Sequence, residues 1–425
     1  MSIKSSLIIG CALIASTVAE KQCVPYQTSY DFTTGFPPVW VAPGQKEFDT
    51  PEFQKVYHSI DWSKVPNIPP RRMNAAGEFV SPYSASDPDC WWTYSGCTTP
   101  KDKYLKPDLT ACPEPDTWGL TFDGGPNCTQ HQFYDFLRDN NQLATMFYIG
   151  SNVADWPRQA KRGLTDGHHI CLHTWSHPYM TTVTNEVVVG EFYYTMKVIK
   201  MVLGVTPTCW RPPYGDVDDR VRAIAKQIGL TTIMWNLDSD DWMLKPAGKE
   251  PPSFVDARFQ SFIDMAKNGT FAHSGTITLE HELDNATMSM AEKWLPKIRK
   301  AFKHVMPVAT CMNMTTPYTE TEFTYPDFIQ YSKGDTNGNA LKNATHNATS
   351  STSSSSSSST SSSDSSSTSS SSSSSTASKS ANSTETKHTK SDDSSDHGKS
   401  TNDSTKYLVN ISLTLFGLAS VSLLL

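Results

Sequence analysis

The sequence predicts an α/β fold: a distorted (β/α) barrel of about seven strands, with an irregular N-terminal extension and a disordered Ser/Thr-rich C-terminal stalk. Three observations point there. From Trp118 onward, short β-branched or apolar runs alternate with amphipathic segments of helical period. Seven β-then-α units in a row imply a parallel sheet, and a closed or nearly closed barrel is the simplest way to bury one. Charged and imidazole side chains also recur at the ends of the apolar runs, where a barrel would gather them at one mouth. The runner-up, an open doubly wound sheet, is disfavoured because no glycine-rich phosphate loop follows the first strand.

The elements justify themselves in chain order. Residues 1–19 carry Lys4, an apolar run from Leu7 to Val18 and small residues before a cleavage point after Ala19, which is the pattern of a secretory leader. Residues 20–112 are dense in Pro and aromatics, lack a sustained helical period, and read as an irregular extension packed on the main domain. The domain itself is expected over 113–315. Its predicted strands are Trp118–Phe122, Leu143–Ile149, His169–His173, Thr208–Arg211, Thr231–Leu237, Thr276–His281 and Val308–Cys311. Between them fall helices Gln130–Arg138, Asn185–Leu203 with Gly204 as its stop, Val217–Ile228 with Gly229 likewise, Ser253–Lys267 and Met288–Val305. Residues 326–405 include a nearly pure Ser/Thr tract over Ser350–Ser378 that has nothing apolar with which to offset chain-ordering entropy. It reads as a stalk bearing O-linked sugars. Small residues, a polar spacer and an apolar tail over 406–425 make the signal for a glycosylphosphatidylinositol (GPI) anchor.

Composition narrows the function classes. Basic residues number 36 against 43 acidic, so the chain is mildly acidic and a nucleic-acid partner is not expected. With a leader present, the eight cysteines after Cys11 (Cys23, Cys90, Cys97, Cys112, Cys128, Cys171, Cys209 and Cys311) read as disulfide formers, with connectivity left open. Cys171 and Cys209 are one candidate pair, on neighbouring strands whose spacing suits a disulfide. Sequons at Asn127, Asn268, Asn285, Asn313, Asn343 and Asn347 fit a glycosylated surface. The expected setting is secreted, GPI-anchored at the plasma membrane and cell wall, as a monomer.

The residues at the strand ends suggest hydrolysis of an unreactive amide. His173 and His177, four apart, can present two imidazoles to one divalent metal, zinc or cobalt, if the segment turns helically. Asp123 is the candidate base for a metal-activated water, with Arg211 orienting it and lowering its pKa. His281 is the candidate acid for the departing amine, and Asp241 would hold its ring and favour the charged form. Backbone amides around Tyr214, after Pro212-Pro213, could donate to an oxyanion. Trp242 and Leu279 are either ordinary core or walls for an acetyl methyl.

The strings Thr121-Phe122-Asp123-Gly124-Gly125-Pro126, His173-Thr174-Trp175-Ser176-His177, Arg211-Pro212-Pro213-Tyr214, Asp238-Ser239-Asp240-Asp241-Trp242 and Ile277-Thr278-Leu279-Glu280-His281 resemble, in order, the five motifs of the polysaccharide deacetylases (NodB-type, carbohydrate esterase family four). The layout of extension and stalk is similar to that of fungal chitin deacetylases. The resemblance implies a distorted β/α barrel, a zinc- or cobalt-type metal, and removal of acetyl groups from N-acetylglucosamine units of chitin or a related polymer. It assigns base, metal histidines, orienting arginine, acid and acid partner to the residues just named, Tyr214 to the oxyanion, and Trp242 and Leu279 to the acetyl walls. One position departs: the family's second aspartate, a metal ligand, is Gly124. The resemblance thus implies a deacetylase with a weakened or rearranged metal site, the alternative being a wall-anchored chitin-binding pseudoenzyme.

Overall fold

A computed structural model describes residues 30–80 and 82–336. The expected leader (1–19), Ser/Thr tract and terminal tail (406–425) lie outside the described residues. Among the described residues, no helix is long and apolar enough to cross a membrane.

Nine short strands make up the sheet. β1 (Thr117–Gly119) and β2 (Thr121–Gly125) continue one another through Leu120, followed by β3 (Thr145–Tyr148), β4 (His169–Leu172) and β5 (Cys209–Trp210). Then come β6 (Thr231–Thr232), β7 (Leu237–Asp238), β8 (Thr276–His281) and β9 (His304–Met306). All their pairings are parallel. β2 pairs with β3, β3 with β4, β4 with β5 and β5 with β6; on its other edge β2 pairs with β8. Residues 231–238 close the barrel, because β6 pairs with β5 whereas β7 pairs with β8. Leu109 fills the seam: its N–H donates to Thr232 O, and its own carbonyl accepts from Met234 N. The extension therefore contributes one residue to the barrel wall.

The barrel interior holds Phe147, Ile233, Ile277, Met306 and Val308 with Cys112, Cys171, Cys209 and Cys311, all buried. The cysteines pair as Cys112–Cys311 and Cys171–Cys209, and Cys90–Cys97 closes a loop of the extension. Cys128 is disulfide-bonded as well. The candidate pair Cys171–Cys209 is therefore a disulfide, set where Leu172 registers with Trp210.

Helices outside the barrel start and stop where their caps dictate. Asn185–Leu203 runs from Thr184, whose hydroxyl accepts from Val187 N, to left-handed Gly204 (φ +81°). Asp219–Ile228 begins two residues later than the hydrophobic pattern suggested, because the Asp218 carboxylate accepts from Val221 N. Asn285–Ala301 begins earlier than Met288 because Asp284 forms a capping box. Ending at Ala301, it frees His304–Met306 to pair with β1.

One predicted strand is wrong as a consequence. Val308–Cys311 is a helical turn, started by Pro307 and closed by Cys311 N donating to Pro307 O. A four-residue apolar run has no period long enough to separate strand from helix. Two further helices, Gly150–Asp155 and Pro157–Thr165, follow β3 where none was predicted. Within the extension, Pro51–Ser59 is helical, with the Thr50 hydroxyl as its cap. Residues 317–332 cover the N-terminal end of the barrel, where Ile170 N donates to Tyr318 Oη and Tyr325 Oη donates to His168 O.

Candidate active site

Strand register aligns the chemistry. Asp123 lies opposite His281 and Asp238 opposite Leu279, while His173 and Arg211 each follow directly on the paired residues Leu172 and Trp210. The polar clusters predicted at the strand ends therefore share the C-terminal mouth.

Arg211 is wholly buried, and its guanidinium makes four hydrogen bonds. Nη1 donates to Asp123 Oδ1 (2.7 Å) and Thr121 Oγ1 (2.8 Å), Nη2 to Met234 O (3.1 Å) and Nε to Ile233 O (3.3 Å). This fork locks the Asp123 carboxylate in place. It does not lower the Asp123 pKa as expected: burial raises it, and outweighs the opposing pull of the guanidinium. A base with a raised pKa is better matched to taking a proton near neutrality.

His173 Nδ1–H donates to Arg211 O (2.8 Å), which makes the Nε2 of the neutral ring the acceptor. That Nε2 lies 3.1 Å from His177 Nε2 and 3.8 Å from Asp123 Oδ2. Burial holds His173 neutral, with its pKa down at about 3, and lowers that of His177 as well. The two rings do not converge through a helix. Thr174 (φ +67°) and His177 (φ +59°) are left-handed, and the loop is gathered by Glu191, a buried carboxylate that sequence reasoning passed over. Glu191 accepts from Trp175 N (2.7 Å), Ser176 N (2.8 Å) and Ser176 Oγ (2.5 Å). Its available signal was a lone acid on the buried face of an otherwise apolar helix.

On the facing side, Asp241 Oδ1 is 2.6 Å from His281 Nδ1 and its Oδ2 accepts from His281 N (2.8 Å). Burial alone would lower the His281 pKa, but the Asp241 carboxylate raises it above the ordinary value, as expected from sequence. Tyr214 sits at the turn 213–215 with φ +58°. Gly215 N and Asp216 N close that turn on Pro212 O and Pro213 O, so the Tyr214 amide stands outside the closing bonds. Its ring lies 4.6 Å from that of His177 and stacks at 4.1 Å on Tyr179. Leu279 is buried and Trp242 is partly exposed, both beside the Asp241–His281 pair in sequence.

The donors present fit a divalent ion. Two neutral imidazole nitrogens face each other at one edge of a carboxylate oxygen, so His173 and His177 would hold the ion with Asp123 Oδ2 alongside. Gly124 supplies nothing, and it has φ +89°; a Cβ there would come within 2.4 Å of Leu283 Cδ2. Leu283 occupies the space a side chain would need. The Leu283 segment is tied down by Asn127, whose amide donates to Glu282 O and Leu283 O. Among the described residues, a second cluster of ligand types, His169, Cys171 and Cys209, is excluded as a metal centre because the disulfide consumes both sulfurs.

A barrel with an Arg-fixed aspartate, a histidine pair and an Asp–His pair at its mouth has the parts of a hydrolase that can hold a metal ion. A sequence model of the family described as polysaccharide deacetylase matches residues 110–233. Chitin deacetylase of Amylomyces rouxii is 54% identical over 289 residues, which make up 67% of this chain and 68% of that one. Chitin deacetylase 2 of Cryptococcus neoformans var. grubii is 48% identical over 328 residues, 76% of this chain and 72% of that one. The solved chitin deacetylase of Colletotrichum lindemuthianum overlays with a TM-score of 0.42 at 23% identity, covering 49% of this chain and 92% of that chain. The chain belongs to the polysaccharide deacetylase family.

Proposed function

We propose that this protein hydrolyses the acetamide groups of N-acetylglucosamine units in chitin, releasing acetate and leaving free amines. The observation that carries the reading is the pairing of an Arg-fixed carboxylate with a carboxylate-backed imidazole across one mouth, together with two imidazole nitrogens that meet at 3.1 Å. The names and identities of the two fungal relatives supply the polymer.

A divalent ion on His173 and His177 would polarise the acetamide carbonyl and acidify a water. Asp123 takes the proton of the attacking water, held in position by Arg211. The tetrahedral adduct places negative charge on the former carbonyl oxygen, within reach of the Tyr214 amide in this reading. His281, whose Nδ1 is engaged by Asp241, carries its transferable proton on Nε2. That proton passes to the amine nitrogen as the C–N bond breaks. Leu279 and Trp242 wall the acetyl methyl. The ion is zinc or cobalt, in keeping with the imidazole donors. The disulfides fit an oxidising, extracellular setting, and the leader and tail motifs fit a monomer tethered at the fungal surface by a lipid anchor.

Gly124 supplies the test. Acetate release from chitin oligomers is measured with added zinc or cobalt for the unaltered chain, Gly124→Asp, and Gly124→Asp with Leu283→Ala, which opens the crowded space. The unaltered chain is expected to be active and to need more metal for half-maximal rate, since an added carboxylate raises affinity for the ion. Activity that arises only on substitution, from an undetectable level, would leave the unaltered chain as a chitin-binding protein without turnover.

A further inference from the structure

Resting on the chitin reading above, we infer that Trp40 of the N-terminal extension is a sugar-stacking platform that binds an N-acetylglucosamine unit away from the reacting one. The extension was predicted only as an irregular covering, yet one of its turns is hydrogen-bonded to Trp175 of the histidine loop and to Ser151 after β3. Residues 38–41 form a tight turn closed by Val41 N donating to Pro38 O (3.1 Å). Trp40 occupies its third position with φ +62°, where glycine is usual and a bulky side chain strains the backbone. Despite that cost the ring is not buried: Trp40 is 49% exposed, and Val39 and Val41 beside it are exposed as well. Apolar burial therefore does not explain a tryptophan here.

The surroundings hold the residue firmly. Trp40 N donates to Ser151 Oγ (2.7 Å). With its backbone held at Ser151, the residue is anchored while about half of its surface stays exposed. A rigid aromatic plane with a free face is the surface on which the C–H face of a pyranose packs, at little entropy cost.

The platform is built onto the catalytic mouth. Ser151 Oγ donates in turn to Trp175 O (2.6 Å), and Trp175 Nε1 donates to Pro38 O (3.2 Å). Trp175 lies between His173 and His177 in the chain. The next residue after Ser151, Asn152, donates to Gly124 O (2.8 Å). The turn thus hangs from the histidine loop and from the helix Gly150–Asp155 after β3, whose Asn152 also bonds Gly124. Its occupant is a further sugar of the same polymer chain, since the reacting unit is held at the histidines.

Equilibrium binding of N-acetylglucosamine oligomers of increasing length tests this without relying on turnover. Aromatic stacking of about 0.5–1.5 kcal/mol corresponds to roughly a two- to tenfold change in affinity. Trp40→Ala and Trp40→Gly are each expected to lose that much for long oligomers and nothing for the single sugar. Trp40→Gly also relieves the left-handed strain, so its unfolding midpoint stays level or rises while affinity falls, a split that a merely structural tryptophan would not produce. Unchanged affinity for long oligomers, an equal loss at every length, or absence of oligomer binding in the unaltered protein overturns the inference. Acetate release is followed in parallel: length-dependent binding without release keeps the platform and refutes the catalytic reading.

Discussion

At the scale of single residues, burial and pairwise charge compete, and the winner differs between Asp123 and His281. Arg211 touches Asp123, yet desolvation still raises the carboxylate pKa, whereas at His281 the Asp241 charge overcomes desolvation. Asp241→Asn removes that charge and lets burial lower the imidazole pKa. The alkaline limb of the pH–rate profile is expected to move to lower pH, with kcat falling on the order of 10²- to 10⁴-fold. Glu280 shows the same physics outside the mouth. Its carboxyl points among Leu120, Phe122, Phe133 and Leu295, with the Thr278 hydroxyl as a partner, and burial pushes its pKa up to about 8. A raised folded pKa contributes stability that is fully present below the ordinary carboxylate value and is lost as pH rises through about 8. Glu280→Gln is therefore expected to flatten the decline of the urea midpoint between pH 5 and pH 8. A decline as steep as in the unaltered protein would show that Glu280 is not its source.

At the scale of elements, the histidine loop depends on a helix that touches none of the chemistry. Glu191 on Asn185–Leu203 accepts three hydrogen bonds from Trp175 and Ser176, and these bonds impose the left-handed residues that turn His173 and His177 toward each other. Glu191→Ala leaves three donors without this acceptor and the loop free to relax. Zinc affinity, read by competition with a chromogenic chelator, is expected to fall about 10- to 100-fold, the usual effect of removing support behind metal ligands. Glu191→Gln, which keeps the shape and one acceptor oxygen, should lose less. Equal affinity in all three proteins would remove Glu191 from the positioning of the site.

At the scale of the whole molecule, the barrel is closed by chain segments far apart in sequence. Leu109 seals the seam at residues 231–238, and Cys112–Cys311 ties the two ends of the domain across a separation of 199 residues. In the chain-entropy view, a cross-link over so long a loop stabilises by about 5 kcal/mol. Replacing both cysteines by alanine is expected to lower unfolding free energy by a few kcal/mol in urea titration, more than removal of Cys90–Cys97, which spans only 7 residues. Arg222 joins the extension to the barrel by similar logic: it pairs with Asp108 and donates to the carbonyls of Cys90 and Cys97. The extension is thus keyed to the domain by buried charge as well as by aromatic packing.

The parallel barrel, the long amphipathic helices and the placement of polar residues at the strand ends were all legible in the sequence, because alternation, helical period and glycine stops are local signals that burial then reinforces. Six of the seven predicted strands correspond to strands of the sheet; Val308–Cys311 failed because four apolar residues after a proline carry no period. Local pattern could not reveal what long-range contacts decide. Glu191 folds the histidine loop from the next helix, burial reverses the expected shift of Asp123, Leu283 fills the space beside Gly124, and a turn of the extension with a left-handed tryptophan bonds to the histidine loop. Each of these depends on which groups meet across the folded chain and on how much water they lose there, and both are properties of the packed molecule rather than of any stretch of its sequence.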